Sequence, residues 1–402
     1  MNPFTPATIA PLAQQFGTPL WIYDADTITR QIAALRLFDV VRFAQKANSN
    51  THILRLMKRQ GAVVDSVSLG EIERALAGGF TPGLHNGHAD IVFTADLLDR
   101  ATLARVVELN IPVNCGSMDM LDQLGAVNPG HPVWLRINPG FGHGHSKKTN
   151  TGGEHSKHGI WHGDLVRACE KIKSNGLALQ GLHMHIGSGV DYAHLQEVCG
   201  AMLKLVEVVN AQGLDLHAIS AGGGLSVPYQ AGEPTIDTAH YFSLWDAVRH
   251  AVEQLLEHPV KLEIEPGRYL MAESGVLVTE VRATKQQGAN HFVMVDAGFS
   301  DLVRPALYGA YHGMELIHSD GTAVNGLQFD TVVAGPLCES GDVFTQGDGG
   351  VVLHRSLPQA QVGDLLVLHD TGAYGASMSS NYNARPLIAE VLMENGEPRL
   401  IR

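Results

Sequence analysis

Apolar runs of strand length alternate with segments of helical periodicity along the first two thirds of the chain. Apolar residues recur every three to four positions at 27–38, 53–59, 70–77, 97–109, 195–210 and 240–256, which predicts helices there. Eight runs of buried-strand composition lie beside them, at 40–44, 62–66, 91–94, 113–115, 133–137, 181–185, 218–220 and 261–264. Strands that alternate with helices predict parallel βα units, and eight such strands can close a barrel.

The pattern changes near residue 270, where β-like runs follow one another with turns rather than helices between them. These runs are GVLVTEVRATK, HFVMVDAG, DTVVAGP, DLLVLHD and PLIAEVLM, and the early run 20–23 is a candidate for the same sheet. The predicted fold is therefore α/β, a TIM-like (β/α)8 barrel plus a mostly antiparallel β-domain. The barrel is expected at residues 26–270, and the β-domain at residues 1–25 and 271–402.

Composition narrows the class of protein. Of the 402 residues, 45% are hydrophobic and 17% are charged, an ordinary globular balance. The net charge of -13 argues against a nucleic-acid or anionic-membrane surface, and no apolar run approaches the ~18 residues of a membrane helix. The first residues lack the order of a signal peptide, and the four cysteines are scattered. A cytoplasmic location is expected.

Polar and glycine residues stand where the predicted barrel strands end, although the strand interiors are Val, Ile and Leu. The catalytic groups of barrel enzymes lie at the carboxyl ends of the strands, so such residues are candidates for a site. Packing alone does not easily explain their coincidence. They are Lys46, Asp65, His185, the run Gly222-Gly223-Gly224, and the run Glu265-Pro266-Gly267-Arg268.

The glycine run and the histidines have structural as well as functional interpretations. Three glycines after a strand are often only a tight turn, but the loops after strands seven and eight are the usual phosphate site of a barrel. His183 and His185 could be a metal pair, core imidazoles, or, for His185, a ring stacked on a planar ligand, which is favoured. No metal site is predicted, because acidic ligands do not accompany the pair. The loop histidines His143, His145, His155 and His158 are expected to be solvated.

The cysteines divide into two groups. Cys169 and Cys199 lie on predicted helices, where a small buried thiol is the ordinary interpretation. Cys338 instead stands in a glycine-bounded turn between a strand and the acidic residues Glu339 and Asp342. A thiol in such a turn is a candidate for proton transfer.

Seven motifs in order resemble a known enzyme family. FAQKAN with Lys46, VDSVSLGE, HMHIGSG, SAGGGL, EPGR, GPLCESGD and GAYG together resemble the fold-type III pyridoxal-phosphate (PLP) enzymes, and among these the bacterial diaminopimelate decarboxylases. The resemblance implies that Lys46 forms the Schiff base with PLP and that Glu265 pairs with the pyridine nitrogen. A carboxylate there keeps the ring protonated as an electron sink, which favours decarboxylation over racemisation.

The same resemblance implies roles for further residues. His185 would stack on the ring, Asp65 and Glu71 would support Lys46 and His185, and Cys338 of a partner subunit would donate a proton to Cα. The remaining implied cofactor contacts are Ser188, Gly222, Gly223, Gly224, Pro266, Gly267, Arg268 and Tyr374. The implied substrate contacts are Arg268, Arg304, Tyr308, Glu339 and Tyr374.

The implied reaction is decarboxylation of meso-2,6-diaminopimelate to L-lysine and CO2, the last step of lysine biosynthesis, through a PLP Schiff base and a quinonoid intermediate. An obligate homodimer with active sites at its interface is expected. One alternative is a related PLP decarboxylase acting on ornithine, arginine or a carboxy-polyamine. Others are a non-catalytic PLP-binding barrel, and a metal-dependent hydrolase built on His183 and His185.

Overall fold

The computed structural model describes residues 3–142, 151–185, 187 and 192–402, with side chains from residue 196 in the last segment. Within them the chain forms two compact units. One unit contains Arg30–Ser226 and Thr235–Tyr269, and the other contains Met1–Thr29, Val227–Pro234 and Leu270–Arg402. In chain order the elements of the first 271 residues are α1 (Pro6–Phe16), β1 (Leu20–Asp24), α2 (Ala25–Ala33), β2 (Val40–Ala44), α3 (Thr51–Arg59), β3 (Val63–Ser66), α4 (Leu69–Ala77), β4 (Ile91–Ala95), α5 (Arg100–Glu108), β5 (Val113–Cys115), α6 (Met118–Val127), β6 (Pro132–Asn138), β7 (Ile160–Trp161), α7 (Leu165–Ser174), β8 (Ala178–His183), α8 (Tyr192–Ala211), β9 (Ala218–Ser220), α9 (Thr238–Leu256), β10 (Lys261–Ile264) and α10 (Arg268–Met271). They are followed by β11 (Gly275–Gln287), β12 (Asn290–Val295), α11 (Arg304–Tyr308), β13 (Met314–Ile317), β14 (Gln328–Ala334), β15 (Arg355–Pro358), β16 (Leu365–Leu368), β17 (Ala389–Glu394) and β18 (Glu397–Leu400).

The first unit contains a closed parallel barrel. Within the described residues its eight strands run β2-β3-β4-β5-β6-β8-β9-β10, and β10 pairs with β2 to complete the ring. The closing register places Ile264 beside Val41. The short β7 adds to β6 outside the ring. Helices cover the outer face, so the strands are buried on both sides and read as continuous apolar runs. The predicted TIM-like fold is confirmed.

Side-chain caps decide where several barrel helices begin. The Asn50 side chain accepts a hydrogen bond from the His52 amide at 3.0 Å, as the Ser68 hydroxyl does from the Glu71 amide at 3.2 Å. Asp99 caps α5 in the same way, through the amide of Thr102 at 2.9 Å. Each cap satisfies an amide that the first helical turn leaves without a partner. The chain therefore turns into each helix within a few residues, close to the carboxyl end of the strand before it.

The predicted bounds of the sixth barrel strand were wrong. The strand expected at 181–185 is β8, which begins at Ala178 and ends at His183. Its start is set by parallel pairing with β6, where Ala178 faces Pro132, and its end by His183 facing Arg136. His185 therefore lies two residues beyond the strand, and the two histidines do not share one strand face. Helix α6 was not named in the prediction, and α7 was expected only as the helix that carries Cys169.

The second unit is a mostly antiparallel β-domain, as predicted. Its long sheet runs β15-β14-β12-β11-β1-β17-β18, and β13 and β16 extend it from β11. Strand β1 lies between β11, which is antiparallel to it, and β17, which is parallel. One hydrophobic core joins α1 to this sheet through side chains such as Ile9, Leu20, Val276 and Val391, all at most 1% exposed. The assignment of the run 20–23 to this sheet is confirmed.

None of the helices in the described part of the chain is long and apolar enough to cross a bilayer.

Candidate active site

Lys46 lies just beyond the carboxyl end of the first barrel strand. Strand β2 ends at Ala44, and Lys46 is the middle residue of a single 3-10 turn, Gln45–Ala47, that leads to the Asn50 cap. The neighbouring Gln45 is buried, and its amide donates to the Ser66 hydroxyl at 2.6 Å. The turn is thereby tied to the end of β3, while the Lys46 side chain is exposed.

Two carboxyl groups near Lys46 have raised proton affinity. Burial, and then the nearby charge of Glu265, raises the pKa of Asp65 to about 7, against the opposing charge of Lys46. Among the described residues, Oδ1 of Asp65 has no hydrogen-bond partner. Burial also raises the pKa of Glu71, whose carboxylate accepts the Val67 amide at 2.7 Å. The strand end beside Lys46 thus carries a carboxyl group that titrates near neutral pH.

Glu265 follows β10 and is held by two partners from neighbouring strands. Its Oε1 accepts the Ser220 hydroxyl at 2.7 Å, and its Oε2 lies 3.0 Å from Nε2 of His183. Burial would raise the pKa of Glu265, but the charge of His183, the hydrogen bond of Ser220 and the charge of Arg42 outweigh it and lower the pKa. The result is a fixed, ionised carboxylate at the carboxyl end of the barrel.

Sequence analysis missed these two partners of Glu265. His183 had been weighed as half of a metal pair, but Glu265 is its acid partner in the structure. His185 makes a different contact, to the amide of Gly223. The two histidines therefore have different partners and do not form the ligand pair that a metal-dependent hydrolase would need. His183 is the last residue of β8 and Ser220 is the last residue of β9, and Glu265 directly follows β10. Polar residues at the ends of neighbouring barrel strands are the sequence signal that could have identified these partners.

The glycine run after β9 is required by the close approach of two backbones. Gly222 has φ +62°, and a Cβ there would lie 2.2 Å from the Met184 carbonyl oxygen; a Cβ at Gly223 would lie 2.6 Å from the Glu265 carbonyl oxygen. The Gly222 amide donates to the Ser220 hydroxyl at 3.1 Å, and the Glu265 amide donates to the Gly222 carbonyl at 2.7 Å. Only glycine fits these positions, so the loops after β9 and β10 form one rigid edge.

His185 lies beside this edge as a neutral imidazole. Its Nδ1 accepts the Gly223 amide at 3.2 Å, which assigns the ring proton to Nε2. Burial, followed by the charges of Arg136 and Lys46, lowers the pKa of His185 well below its usual value. The amide of Gly223 is directed at this imidazole, so a phosphate would have to use other donors of the loop.

The expectation that the loop histidines are solvated was wrong for His158. Its Nδ1 lies 2.6 Å from Oδ2 of Asp96, and Oδ1 of the same carboxylate accepts the Gly159 amide at 2.8 Å. Burial alone would raise the pKa of Asp96, but these two hydrogen bonds and the charge of Arg136 lower it. Asp96, which follows β4, therefore anchors the end of the 139–159 loop. His143 and His145 lie outside the described residues.

In the β-domain, Arg304 is a buried cation at the start of α11 rather than a surface-loop residue. It is 6% exposed, donates to the Tyr229 hydroxyl at 3.2 Å and stacks on that ring at 4.9 Å from its centroid. Arg304 also donates to Nε2 of His312 at 3.0 Å, while Nδ1 of His312 donates to the His369 carbonyl at 2.9 Å. His312 is thus a neutral acceptor, and together with Tyr229 it aims the guanidinium.

The loop after β14 presents Cys338 to solvent. Its amide donates to Oδ1 of Asn383 at 3.0 Å, and the thiol belongs to an exposed residue. Asp342 is buried and accepts the Leu337 amide at 2.8 Å and the Phe299 amide at 2.7 Å. The Asp342 carboxylate therefore braces the loop backbone. Burial raises its pKa.

Cys169 and Cys199 are buried, as expected. Burial raises the pKa of Cys169 to about 11 and that of Cys199 to about 12, so both thiols stay protonated at neutral pH.

The remaining predicted residues divide between the two units. Pro266 and Gly267 are buried after β10, and Arg268 is half-buried at the start of α10. In the β-domain, Tyr308 ends α11, Glu339 is exposed beside Cys338, and Tyr374 has a left-handed backbone with φ +57°. Ser188 lies outside the described residues. Gly224 follows Gly223 with φ +107°.

Comparison with known proteins identifies the family. Residues 25–272 match the family model "Pyridoxal-dependent decarboxylase, pyridoxal binding domain". Diaminopimelate decarboxylase of Escherichia coli (strain K12) is 66% identical over 392 residues, which cover 97% of this chain and 92% of that protein. The chain belongs to the diaminopimelate decarboxylase family. The resemblance inferred from the seven motifs is confirmed.

Solved structures of the family agree with the fold. A crystal structure of diaminopimelate decarboxylase matches with a TM-score of 0.93 and 66% identity, covering 98% of this chain and 93% of that one. Diaminopimelate decarboxylase from Helicobacter pylori, complexed with L-lysine, matches with a TM-score of 0.87 and 31% identity, covering 98% of this chain and 95% of that one.

The residues present fit the pyridoxal phosphate that the family uses. Membership makes this chain a PLP-dependent decarboxylase. An ionised Glu265 suits a protonated pyridine nitrogen, and a neutral His185 suits a ring face. The Gly222 and Gly223 amides already donate to Ser220 and His185, so other donors of the loops after β9 and β10 would have to hold the phosphate. The exposed amine of Lys46 lies at the same end of the barrel.

Proposed function

We propose that this enzyme decarboxylates meso-2,6-diaminopimelate to L-lysine and CO2, the last step of lysine biosynthesis. The observation that carries the proposal is the carboxylate of Glu265, kept ionised by His183 and Ser220 at the carboxyl end of the barrel. The names of the family relatives support the choice of substrate, as does the L-lysine bound by the Helicobacter pylori homologue. No observation favours ornithine, arginine or a carboxy-polyamine.

The barrel residues would hold the cofactor and keep it electron-withdrawing. When bound, pyridoxal phosphate supplies the electron sink for the bond that breaks at Cα. The Lys46 amine would attach it, and Glu265 would hold a proton on its ring nitrogen. His185, being neutral, would lie against the ring without adding charge. Gly222, Gly223, Gly224, Ser188, Pro266, Gly267, Arg268 and Tyr374 are the proposed remaining contacts.

Asp65 and Glu71 would tune the amine of Lys46. Both carboxyl groups feel the Lys46 charge, and burial raises the pKa of each, to about 7 for Asp65. We assign both groups the role of supporting Lys46 and His185 at this end of the barrel.

The β-domain residues would recognise the distal amino-acid group of the substrate. The planar guanidinium of Arg304, aimed by Tyr229 and His312, suits a carboxylate. Tyr308 and Tyr374 of the β-domain and Arg268 of the barrel are proposed to assist it. The exposed carboxylate of Glu339 is proposed to bind the distal ammonium group. A site with both signs of charge would select a substrate that carries a second amino-acid head.

Cys338 is proposed to deliver the proton to Cα after CO2 has left, and to do so from the partner subunit of a homodimer. Its exposure on a braced loop supports a role at a surface shared between subunits. The functional division would then follow the predicted boundaries, with the cofactor on residues 26–270 and substrate groups on residues 1–25 and 271–402. The cytoplasm is the proposed compartment; its reducing conditions suit the four free cysteines.

The substrate assay tests the central proposal. The purified, PLP-loaded enzyme should release CO2 and L-lysine from meso-diaminopimelate, and much less CO2 from ornithine, arginine or a carboxy-polyamine. Lys46→Ala should lose the Schiff-base absorbance and the turnover together. A PLP-loaded enzyme that leaves meso-diaminopimelate unchanged contradicts the proposal, and a preference for ornithine selects the alternative.

Mixed dimers test whether the active site is shared. Lys46→Ala and Cys338→Ala should each be nearly inactive alone. A mixture unfolded and refolded together should recover up to about a quarter of wild-type turnover, because half the dimers are mixed and one of their two sites is intact. The same mixture without reassortment is the control. No recovery on reassortment would place both residues in one chain's site.

A further inference from the structure

Three side chains gather at the end of the barrel opposite to Lys46. Asp215 and His217 precede β9, and His258 precedes β10, so all three lie at the amino ends of neighbouring strands. One potential ligand atom from each lies within 4.8 Å of the other two. In the described part of the chain this is the one group of three such side chains. It played no part in the sequence prediction, which considered His183, His185 and the loop histidines.

The sheet fixes the backbone that carries His217. Its amide donates to the Gln180 carbonyl at 2.9 Å, and its carbonyl accepts the Lys261 amide at 3.0 Å. Leu216, between the two ligand residues, is fully buried. The His217 ring lies 5.7 Å from the His258 ring, measured between centroids. The ligand residues therefore stand on a rigid base, although Asp215 and His217 have exposed side chains.

One hydrogen bond of His258 is of the kind that a metal ligand makes to an outer-shell partner. Its Nδ1 lies 2.9 Å from the Pro259 carbonyl, which can only accept, so this nitrogen carries a proton. Its Nε2 lies 2.8 Å from Oδ1 of Asp215, an oxygen that also accepts the Leu216 amide at 2.8 Å. Metal-bound histidines typically donate their second ring N–H to a carbonyl or carboxylate. Since a carboxylate oxygen can only accept, Nε2 also carries a proton in this contact, and a bound ion would replace that proton between His258 and Asp215.

We propose that Asp215, His217 and His258 bind one divalent transition-metal ion, with zinc as the best match. Two imidazoles and a carboxylate are a donor set that suits zinc and not calcium or magnesium, and water would complete a tetrahedron. Bond lengths of about 2.0 Å would bring the ligand atoms to about 3.3 Å apart, which rotation of the exposed His217 side chain allows. The ion would tie the start of β9 to the turn before β10.

The test is zinc binding by enzyme without an affinity tag, loaded with PLP and freed of metal. Competition against a chromophoric chelator should show one tight equivalent of zinc per chain. His258→Gln, His217→Gln and Asp215→Asn should each lose it, with affinity falling by more than the ~10–100-fold that loss of an outer-shell partner costs. Zinc should also raise the melting temperature of the wild type and not that of the variants.

A matched control is His88→Gln. His88 pairs with Asp90 at 3.2 Å, which is the same histidine–carboxylate chemistry without a third ligand in that group. This variant should keep the zinc equivalent. Turnover and circular dichroism of the three ligand variants should stay as in the wild type, which separates loss of the ion from loss of the fold.

Two results would overturn the proposal. One is the absence of a tight zinc equivalent in the wild type, which would leave Asp215 and His258 as a simple ion pair. The other is an equivalent that survives all three ligand substitutions, which would place the ion elsewhere. Diffraction data at the zinc absorption edge provide a third check, because the anomalous peak should lie among these three side chains.

Discussion

The buried carboxyl group of Asp65 should make the free energy of unfolding depend on pH in a way that one substitution abolishes. Burial and the charge of Glu265 raise the pKa of Asp65 from 3.8 to about 7. Between these two values the folded chain retains a proton that the unfolded chain has released. The free energy of unfolding therefore falls as pH rises through this window, and levels off above the folded pKa. Asp65→Asn removes the titrating group and with it this loss.

The magnitude follows from the shift. Each pKa unit corresponds to about 1.36 kcal/mol, so the window from about pH 5.5 to the folded pKa represents about 2 kcal/mol. Asp65→Asn should therefore gain about 2 kcal/mol relative to the wild type between about pH 5.5 and about pH 8. Any fixed cost of an amide hydrogen left without a partner is the same at both pH values and cancels.

Urea unfolding of the cofactor-free enzyme at the two pH values measures this difference. The cofactor must be absent, because it binds the folded state and adds its own pH dependence. Asp119→Asn is the control, since Asp119 is exposed on α6 and the same substitution there removes a charge that water solvates. A difference between wild type and Asp65→Asn that is constant with pH, or that shrinks toward alkaline pH, would refute the reasoning.

Three further substitutions probe other parts of the site. Gly222→Ala places a Cβ 2.2 Å from the Met184 carbonyl oxygen at φ +62°. A strain of ~1–3 kcal/mol should lower PLP affinity, read by absorbance titration, by about 5- to 150-fold. Unchanged affinity would contradict a rigid glycine edge. Asn383→Ala leaves the Cys338 amide without its acceptor. The kcat should fall about tenfold or more, with KM and PLP absorbance unchanged. An effect on KM alone would argue that Asn383 does not position Cys338. Arg304→Lys keeps the positive charge but loses the planar guanidinium that can bind a carboxylate through two hydrogen bonds. The KM should rise about tenfold with PLP binding intact. An unaltered KM would show that Arg304 does not bind the substrate.

Local pattern was sufficient for most of the barrel. A buried parallel strand is a short apolar run, so β2, β5, β9 and β10 were predicted with their observed bounds. The candidates Lys46 and Glu265 followed from the ends of β2 and β10, and Asp65 followed from the predicted run 62–66, which is β3. The predicted bounds of β8 were wrong because pairing and packing with the neighbouring strand β6 decide where β8 lies. A Cβ at Gly181, for example, would lie 2.5 Å from the Trp134 ring, a constraint that the apolar run itself does not reveal.

Long-range partners were beyond local pattern. Gly125 weakens the helical signal of α6, yet it is required there because a Cβ would lie 2.3 Å from the Asn175 side chain. Asp96 and His158 are 62 residues apart, and Arg304 and Tyr229 are 75 apart. No periodicity relates such residues, so the anchors of the 139–159 loop and of Arg304 could be found only in three dimensions.

The position of β1 has a consequence for synthesis on the ribosome. This strand lies between β11 and β17, so Leu20 faces Val278 on one side and Ala389 on the other. The last of these partners is translated some 370 residues after β1, whereas the strands that close the barrel are complete at Ile264. The barrel can thus fold first during elongation, while the edge of β1 that pairs with β17 stays exposed until the end of translation. Slow or interrupted translation of the last segment should therefore expose this strand to aggregation before it damages the barrel.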